Sequence, residues 1–247
     1  MNSAPWLSII TATYNAADTV AQLRDSIAAQ SFRSFEWLVQ DGGSSDETLQ
    51  LLEEDRETTN LRVESEPDKG IYDAFNKAIQ RATGQYVLFL GADDLLNDDL
   101  VLSDLHEAVA QSDRTPGLVL GTAVYPSGES MTSRLGWKTR ILNTVHHQAV
   151  LYRRDLFRDF SYDISNRIIA DYELNLIAHL TSLSTLQTTR VIAKCGDDGI
   201  SRTTNEYQLY RDMHILRTRH ISRLSSRMYW AIGIANVTRR AIGRRND

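Results

Sequence analysis

A chain of 247 residues that is 42% apolar and 24% charged has the composition of a soluble globular protein with one main domain and an appendage, which excludes a chain dominated by disorder. Its single cysteine, Cys195, excludes an internal disulfide framework and a four-cysteine zinc site, and it fits a reducing, cytoplasmic setting. The net charge of -5 hides an asymmetry: residues 207–247 carry nine arginines against Asp212 and Asp247, or +7, leaving -12 elsewhere. An acidic body argues against nucleic acid as a partner, and the basic tail argues for an anionic surface beside it.

The first residues, MNSAPWLSIITATYN, lack the basic start and cleavage site of a signal peptide. No stretch approaches the roughly 20 apolar residues of a membrane span. Residues 7–13 are a β-branched strand, followed by Tyr14, Asn15 and a helical pattern carrying Val20, Leu23 and Ile27. Residues 35–40 give a second strand, and the loop DGGSSDET enters a helix with Ser44 and Glu47 spaced as a capping box. Residues 61–65 form a third strand. A helix follows with Ile71, Phe75, Ala78, Ile79 and Ala82 on one stripe and Gly84 placed to end it. Residues 86–90 are continuously apolar, which suits a strand buried on both faces of a parallel sheet. Alternating strands and helices with short connections predict an α/β fold with a doubly wound, mostly parallel sheet.

Beyond it, residues 98–111 read as a surface helix with Leu102, Leu105 and Val109 inward. Residues 118–125 read as a strand entering the turn PSGES, 146–152 as strand-like, 169–180 as a stretch that becomes helical, and 187–194 as a return to the sheet. CGDDGIS is a polar loop, with Ser201 and Arg202 placed to approach a diphosphate. Residues 205–244 hold two helical blocks. The second, with Met228, Tyr229, Trp230, Ile232, Ile234 and Val237 between arginines, suits either an anionic membrane interface or packing on protein. The expected division is a domain over 1–203 and a helical extension over 204–247.

The chemistry rests on carboxylates. The sequence has no GxxxxGK[ST] loop, GxGxxG fingerprint, HExxH or GxSxG, so kinase, dehydrogenase, zinc protease and serine hydrolase readings lose ground. Acids stand instead at the ends of predicted strands: Asp41, Asp68, and the pair Asp93 and Asp94. In an open α/β sheet ligands gather beyond those ends. Converging acids repel one another, which favours a cation among them. A hard ion such as Mg²⁺ or Mn²⁺ binds a few carboxylate oxygens together with those of a diphosphate. A nucleotide follows: Asp41 to accept from a base N–H, Tyr14 to stack on the ring, Lys69 to meet phosphate.

The ordered segments TATYN, DGGSSDET, EPDKGIYDAFNKAI, YVLFLGADD and IIADYEL resemble family 2 glycosyltransferases of the GT-A fold, over roughly residues 6 to 202 and especially the bacterial branch that builds exopolysaccharide and O-antigen. By that resemblance Tyr14 and Asp41 contact the base, Asp68 lies beside the nucleoside, and Asp93 is the metal ligand closing a DxD element in which Gly91 replaces the usual first aspartate; Thr11, Lys69 and Asp94 are expected to serve the nucleotide with them. Asp171 matches the general base of an ED motif in which Ala170 replaces the glutamate. His147 or Gln148, in HQAVLYRR, touches the acceptor or donor sugar. The implied activity is inverting, metal-dependent transfer from a UDP- or GDP-sugar to a saccharide or lipid-linked acceptor at the cytoplasmic membrane face. Two other readings compete. A nucleotidyltransferase lacks its basic glycine-rich loop here, and a degenerate nucleotide-sugar-binding or scaffold protein draws on Gly91 and Ala170.

Overall fold

A computed structural model describes residues 4–54, 56–166, 168–196 and 206–243. Strands β1 (Leu7–Thr13), β2 (Phe35–Asp41), β3 (Leu61–Ser65) and β4 (Tyr86–Phe89) lie parallel in the order β3-β2-β1-β4. Helices α1 (Val20–Ala28), α2 (Thr48–Glu53), α3 (Arg56–Thr59) and α4 (Ile71–Arg81) connect them. The register sets Thr13 opposite Asp41 and Asp41 opposite Ser65, so three strand ends finish level.

The chain continues through β5 (Leu95–Leu96), α5 (Val101–Ala110), β6 (Leu118–Val124), β7 (Ser130–Thr132), β8 (Val150–Arg153), α6 (Ala170–Leu180) and β9 (Thr185–Lys194). The sheet extends from β4 as β8-β6-β9-β5, with β7 on β6. This half is mixed: β8 is antiparallel to both β4 and β6, while β6 and β9 are parallel. The expected α/β sheet is present, parallel from β3 to β4 and mixed beyond.

The continuous apolar run in β4 has a direct cause. Tyr86, Leu88 and Leu90 enter one core cluster with Leu23 of α1 and Leu102 of α5, while Val87 and Phe89 enter another with Phe75 of α4 and Leu174 of α6. Both faces of the strand are covered, so neither can be polar. A third cluster joins Ile169, Tyr172 and Leu176 to Tyr210, Met213 and Leu216 of α7 (Glu206–His220), with Ile234 of α8 (Arg223–Gly243) at its margin. The extension is helical and its first helix seats on α6; the proposed boundary at 203/204 lies outside the described residues.

Three local expectations need correction. Helix α4 ends through Ala82 in an extended conformation, and Gly84 serves close approach instead: a Cβ there would lie 2.5 Å from the Ser8 nitrogen. Helix α2 starts only at Thr48, so Ser44 and Glu47 form no capping box: the Ser44 hydroxyl donates to Asp41 and accepts from Asn15 N–H, and the Thr48 N–H goes to Asp46 Oδ1 (3.0 Å). The strand expected over 146–152 begins at Val150, after a 3₁₀ turn over His147–Ala149.

Candidate active site

At the level ends of β1, β2 and β3, Asp41 is fully buried. Its Oδ1 accepts from the hydroxyls of Thr13 (2.9 Å) and Ser44 (2.5 Å). Its Oδ2 accepts from the backbone N–H groups of Gly43 (3.0 Å) and Ser44 (2.8 Å) and from the Ser65 hydroxyl (2.7 Å). Burial alone would raise its pKa, but these hydrogen bonds, led by that of Ser44, hold it below the usual carboxylate range. A base N–H reaches Asp41 only by displacing one of these donors, such as the exposed Ser65 hydroxyl.

Tyr14 stands beside this cradle with 67% of its surface exposed, a ring face open to stacking. A Cβ on Gly42 would sit 2.9 Å from Asp68 Oδ2 and 3.4 Å from Tyr14 Cδ2, so that glycine lets both side chains close on the loop. Asp68 Oδ1 caps its own turn by accepting from Gly70 N–H (2.8 Å). Lys69 is exposed, and its ammonium makes no ion pair among the described residues. Thr11 is a correction: it lies in the core, where its hydroxyl accepts from the Trp37 indole (3.0 Å), and presents no surface to a nucleotide.

Past β4 the chain turns at Gly91, where Asp94 N–H returns to the Gly91 carbonyl (3.2 Å). The turn divides the acidic pair. Asp93 is exposed, while Asp94 is buried, with its Oδ2 accepting from Gly91 N–H (2.5 Å) and its Oδ1 lying 3.4 Å from Gly196 N–H. Burial, then the Asp93 charge, pushes the Asp94 carboxyl up. Two glycine backbones flank Asp93. A Cβ at Gly91 would lie 2.8 Å from one of its oxygens, and a Cβ at Gly196 would lie 2.0 Å from the other.

Asp171 occupies the first turn of α6 and is 7% exposed. The Tyr72 hydroxyl, shared with the Ile168 carbonyl (3.0 Å), reaches its Oδ1 at 3.1 Å. Asn143 Nδ2 donates to Oδ2 at 2.8 Å, and His147 Nδ1 stands 3.7 Å from the same oxygen. Asn143 is itself fixed, accepting from Asn175 (3.1 Å), which accepts from the Tyr152 hydroxyl (2.9 Å). Burial would raise the Asp171 pKa, yet the His147 ring, Asn143 and Tyr72 outweigh it and hold the carboxyl below its ordinary value. The result is a desolvated but ionised carboxylate.

The turn over His147–Ala149 has a consequence for the histidines. In a strand, His146 and His147 would face opposite ways; here their rings stack at 5.8 Å and 10°, and Tyr125 Oη meets His146 Nε2 at 2.5 Å. A cavity of about 320 Å³ is lined by Asp93, Asp94, His147, Gln148, Asp171 and Gly196, among others. Five residues singled out from the sequence thus share one cavity. Tyr14, Asp41, Asp68 and Lys69 stand at neighbouring strand ends outside its lining, and Ser201 and Arg202 lie outside the described residues.

Tyr72, Asn143 and Asn175 escaped the sequence reading. Tyr72 left a signal, since it lies three residues before Phe75 on the buried side of α4 and carries a hydroxyl that needs a partner there. Asn143, in an irregular segment, left none.

This sheet, parallel from β3 to β4 and mixed beyond, flanked by helices, is that of the GT-A fold. *Staphylococcus aureus* TarS, residues 1–349 in complex with UDP-GlcNAc, has the same fold, with a TM-score of 0.73 at 20% identity over 92% of this chain and 71% of that one. So does the mannosyltransferase PcManGT from *Pyrobaculum calidifontis* in complex with GDP-Man and Mn²⁺, with a TM-score of 0.63 at 19% identity over 96% and 76%. This chain spans 42% of a longer TarS structure. Residues 8–168 match the family model "Glycosyl transferase family 2". A PGL/p-HBAD biosynthesis glycosyltransferase of *Mycobacterium bovis* is 35% identical over 183 residues, 70% of each chain, and an uncharacterized glycosyltransferase of *Mycobacterium tuberculosis* is 32% identical over 193 residues, 73% of this chain and 71% of that one. The chain belongs to glycosyl transferase family 2.

Proposed function

We propose that this chain is an inverting glycosyltransferase that moves a sugar from a UDP- or GDP-sugar to a hydroxyl of a saccharide or lipid-linked acceptor. The observation that carries the reading is the shared cavity: Asp171, buried and ionised, faces the same space as Asp93. Held by Asn143 and Tyr72, Asp171 takes the proton of the acceptor hydroxyl as that oxygen attacks the anomeric carbon. The bond to the diphosphate breaks on the opposite face, and the configuration inverts. Tyr14 and Asp68 flank the nucleoside, Asp41 holds the loop they rest on, and His147 and Gln148 line the sugar's place.

The donor set fits a divalent ion held partly by the substrate. Among the described residues no three acidic, histidine or cysteine side chains form a cluster able to hold a metal unaided. Asp93 alone offers an exposed carboxylate, with Asp94 behind it. Mg²⁺ and Mn²⁺ accept such sites when diphosphate oxygens and water complete the shell, and a bound ion would neutralise charge on the leaving diphosphate.

The extension supports placement at the cytoplasmic face of a membrane. No helix among the described residues is long and apolar enough to cross one. Helix α8, however, turns Leu224, Met228 and Ile232 outward at four-residue spacing, and Arg223 and Arg227 are exposed with no ion pair among the described residues, the pattern of an interfacial helix on anionic lipid.

A second reading, a nucleotide-sugar-binding protein without catalysis, rests on Gly91 and Ala170. Release of nucleoside diphosphate from UDP-GlcNAc, GDP-mannose and related donors, with and without Mn²⁺, separates the two. Metal-stimulated release is expected, and its absence with every donor would leave the binding protein.

A further inference from the structure

Helix α7 carries a charge into the core. Arg217 is fully buried, and its Nη1 donates to two backbone carbonyls of the segment between β7 and β8, those of Ile141 and, at 3.4 Å, Arg140. Its Nε and Nη2 are buried as well and make no hydrogen bond of ordinary geometry, with the Tyr172 hydroxyl as their close neighbour. A guanidinium in the interior loses its hydration, and an apolar residue of similar volume in such a place is often neutral or stabilising. Packing of α7 on α6 does not need the charge, because Tyr210, Met213 and Leu216 already supply an apolar face. Polar atoms left short of partners in a folded interior call for a reason other than stability.

The segment that Arg217 grips supplies one. After a 3₁₀ turn over Trp137–Arg140 it runs irregularly to the turn at His147, so no ladder of backbone hydrogen bonds fixes it. Ile141 lies two residues before Asn143, whose Nδ2 donates to Asp171 Oδ2 at 2.8 Å. The Tyr172 hydroxyl donates to the Thr139 carbonyl at 2.8 Å. The segment that presents Asn143 is thereby held by α6 at residue 139 and by α7 at residues 140 and 141.

The end of α7 also grips the other side of the base. His220 Nε2 stands 2.6 Å from Oε1 of Glu173, in the first turn of α6 with Asp171, and Arg219 donates to Asp163 at 2.8 Å. Leu209 of the same helix lines the cavity of Asp171. Helix α7 is therefore part of the wall and the frame of the site.

We infer that Arg217 is a positioning residue for Asp171: from α7 it fixes residues 139–143, and through them the hydrogen bond by which Asn143 holds the carboxylate. The use of Asp171 as a base rests on the glycosyltransferase reading.

Titration of the Asp171 carboxyl by ¹³C NMR in the full chain tests the inference without requiring turnover. Arg217→Met keeps the volume, should leave the melting temperature level or raise it, and should move the Asp171 titration to higher pH. Loss of a positive charge alone would act in the same direction, so the double variant decides. If Arg217 works through Asn143, Arg217→Met adds no further shift to that of Asn143→Ala. Arg217→Lys, which keeps a charged donor, should restore most of the wild-type titration. The other titratable groups facing Asp171 are His147, Tyr72 of α4, Tyr152 of β8 and Tyr162, with Asp93 and Asp94 across the cavity, and they are the same in every variant. In steady-state assays kcat for transfer should fall by about tenfold in Arg217→Met at unchanged donor KM. An unmoved Asp171 titration in that variant, shifts that add in the double variant, or an unchanged kcat overturns the positioning role. A lower melting temperature with the titration in place would leave Arg217 a structural residue. If the wild type transfers nothing from any donor while the titrations behave as expected, the glycosyltransferase reading fails and the positioning of Asp171 stands. If the wild type transfers sugar and the titration does not move, only the role of Arg217 fails.

Discussion

Asp41 and Asp171 share one physical state and differ in use. Both are buried, and in both the hydrogen bonds prevail over desolvation to keep the carboxyl ionised. Every donor to Asp41 comes from the level strand ends and the loop after β2, and its two oxygens take five of them. Asp171 draws on Tyr72 of α4 and on Asn143 and His147 of the irregular segment, and it lines a cavity. An anion whose oxygens are taken up by its own loop and the neighbouring strand ends organises that loop. An anion held from behind and bordered by empty volume is placed to take a proton.

Substitution at each acid should separate the two roles. Asp171→Asn preserves the shape but removes the base, so transfer should fall by about 10²- to 10⁴-fold in steady-state assays while donor binding persists. Asp41→Ala removes the acceptor of five hydrogen bonds, that of the buried Thr13 hydroxyl among them, and should cost about 3 kcal/mol of stability, or about 6–12 °C in melting temperature for a chain of this size. Near-normal turnover by the first variant, or an unshifted melt of the second, would break the distinction.

How much of this was visible beforehand follows from where local pattern decides the outcome. Strand β4 could be read because five apolar residues in a row have few homes other than a sheet covered on both faces. The acids at strand ends were likewise legible, because parallel topology carries them to one edge. Thr11 was misplaced because alternation along β1 decides whether a hydroxyl meets ligand or core, and the Trp37 indole claims it. The pair of histidines was read as a strand because a three-residue 3₁₀ turn leaves little periodicity. Asn143 could not be found at all. Its role exists only once a segment 28 residues away folds back on α6.

The pH dependence of transfer sharpens the contrast further. Because the folded pKa of Asp171 is lowered, its stabilising contribution is present above the unfolded carboxylate value of about 3.9 and is lost as pH falls through the folded value. The base therefore stays ionised to lower pH than a free carboxylate. Asn143→Ala removes one of the hydrogen bonds responsible, so the acid limb of kcat/KM due to Asp171 should move to higher pH. The same measurement after Ser65→Ala, which removes a hydrogen bond from Asp41, should leave that limb in place. A shift of equal size in both variants would mean that the two carboxylates are not independent.

The smallest effect is expected in the tail, where α7 and α8 repeat the contrast between closed and open faces. Helix α7 turns Tyr210, Met213 and Leu216 into the cluster on α6, whereas α8 leaves Leu224 80% exposed and Met228 52% exposed. An apolar stripe facing solvent loses free energy until something covers it, and each side chain of this size is worth about 1.5–3 kcal/mol when fully buried. Flanking arginines favour an anionic lipid surface as the cover over a purely apolar partner. Met228→Glu should accordingly reduce co-sedimentation with vesicles containing anionic phospholipid by about five- to tenfold, because it removes buried area and adds like charge toward the lipid. Added salt should weaken the wild type in the same assay by screening its arginines. Binding that ignores both changes would assign the α8 stripe to a protein partner, as α6 already covers the apolar face of α7.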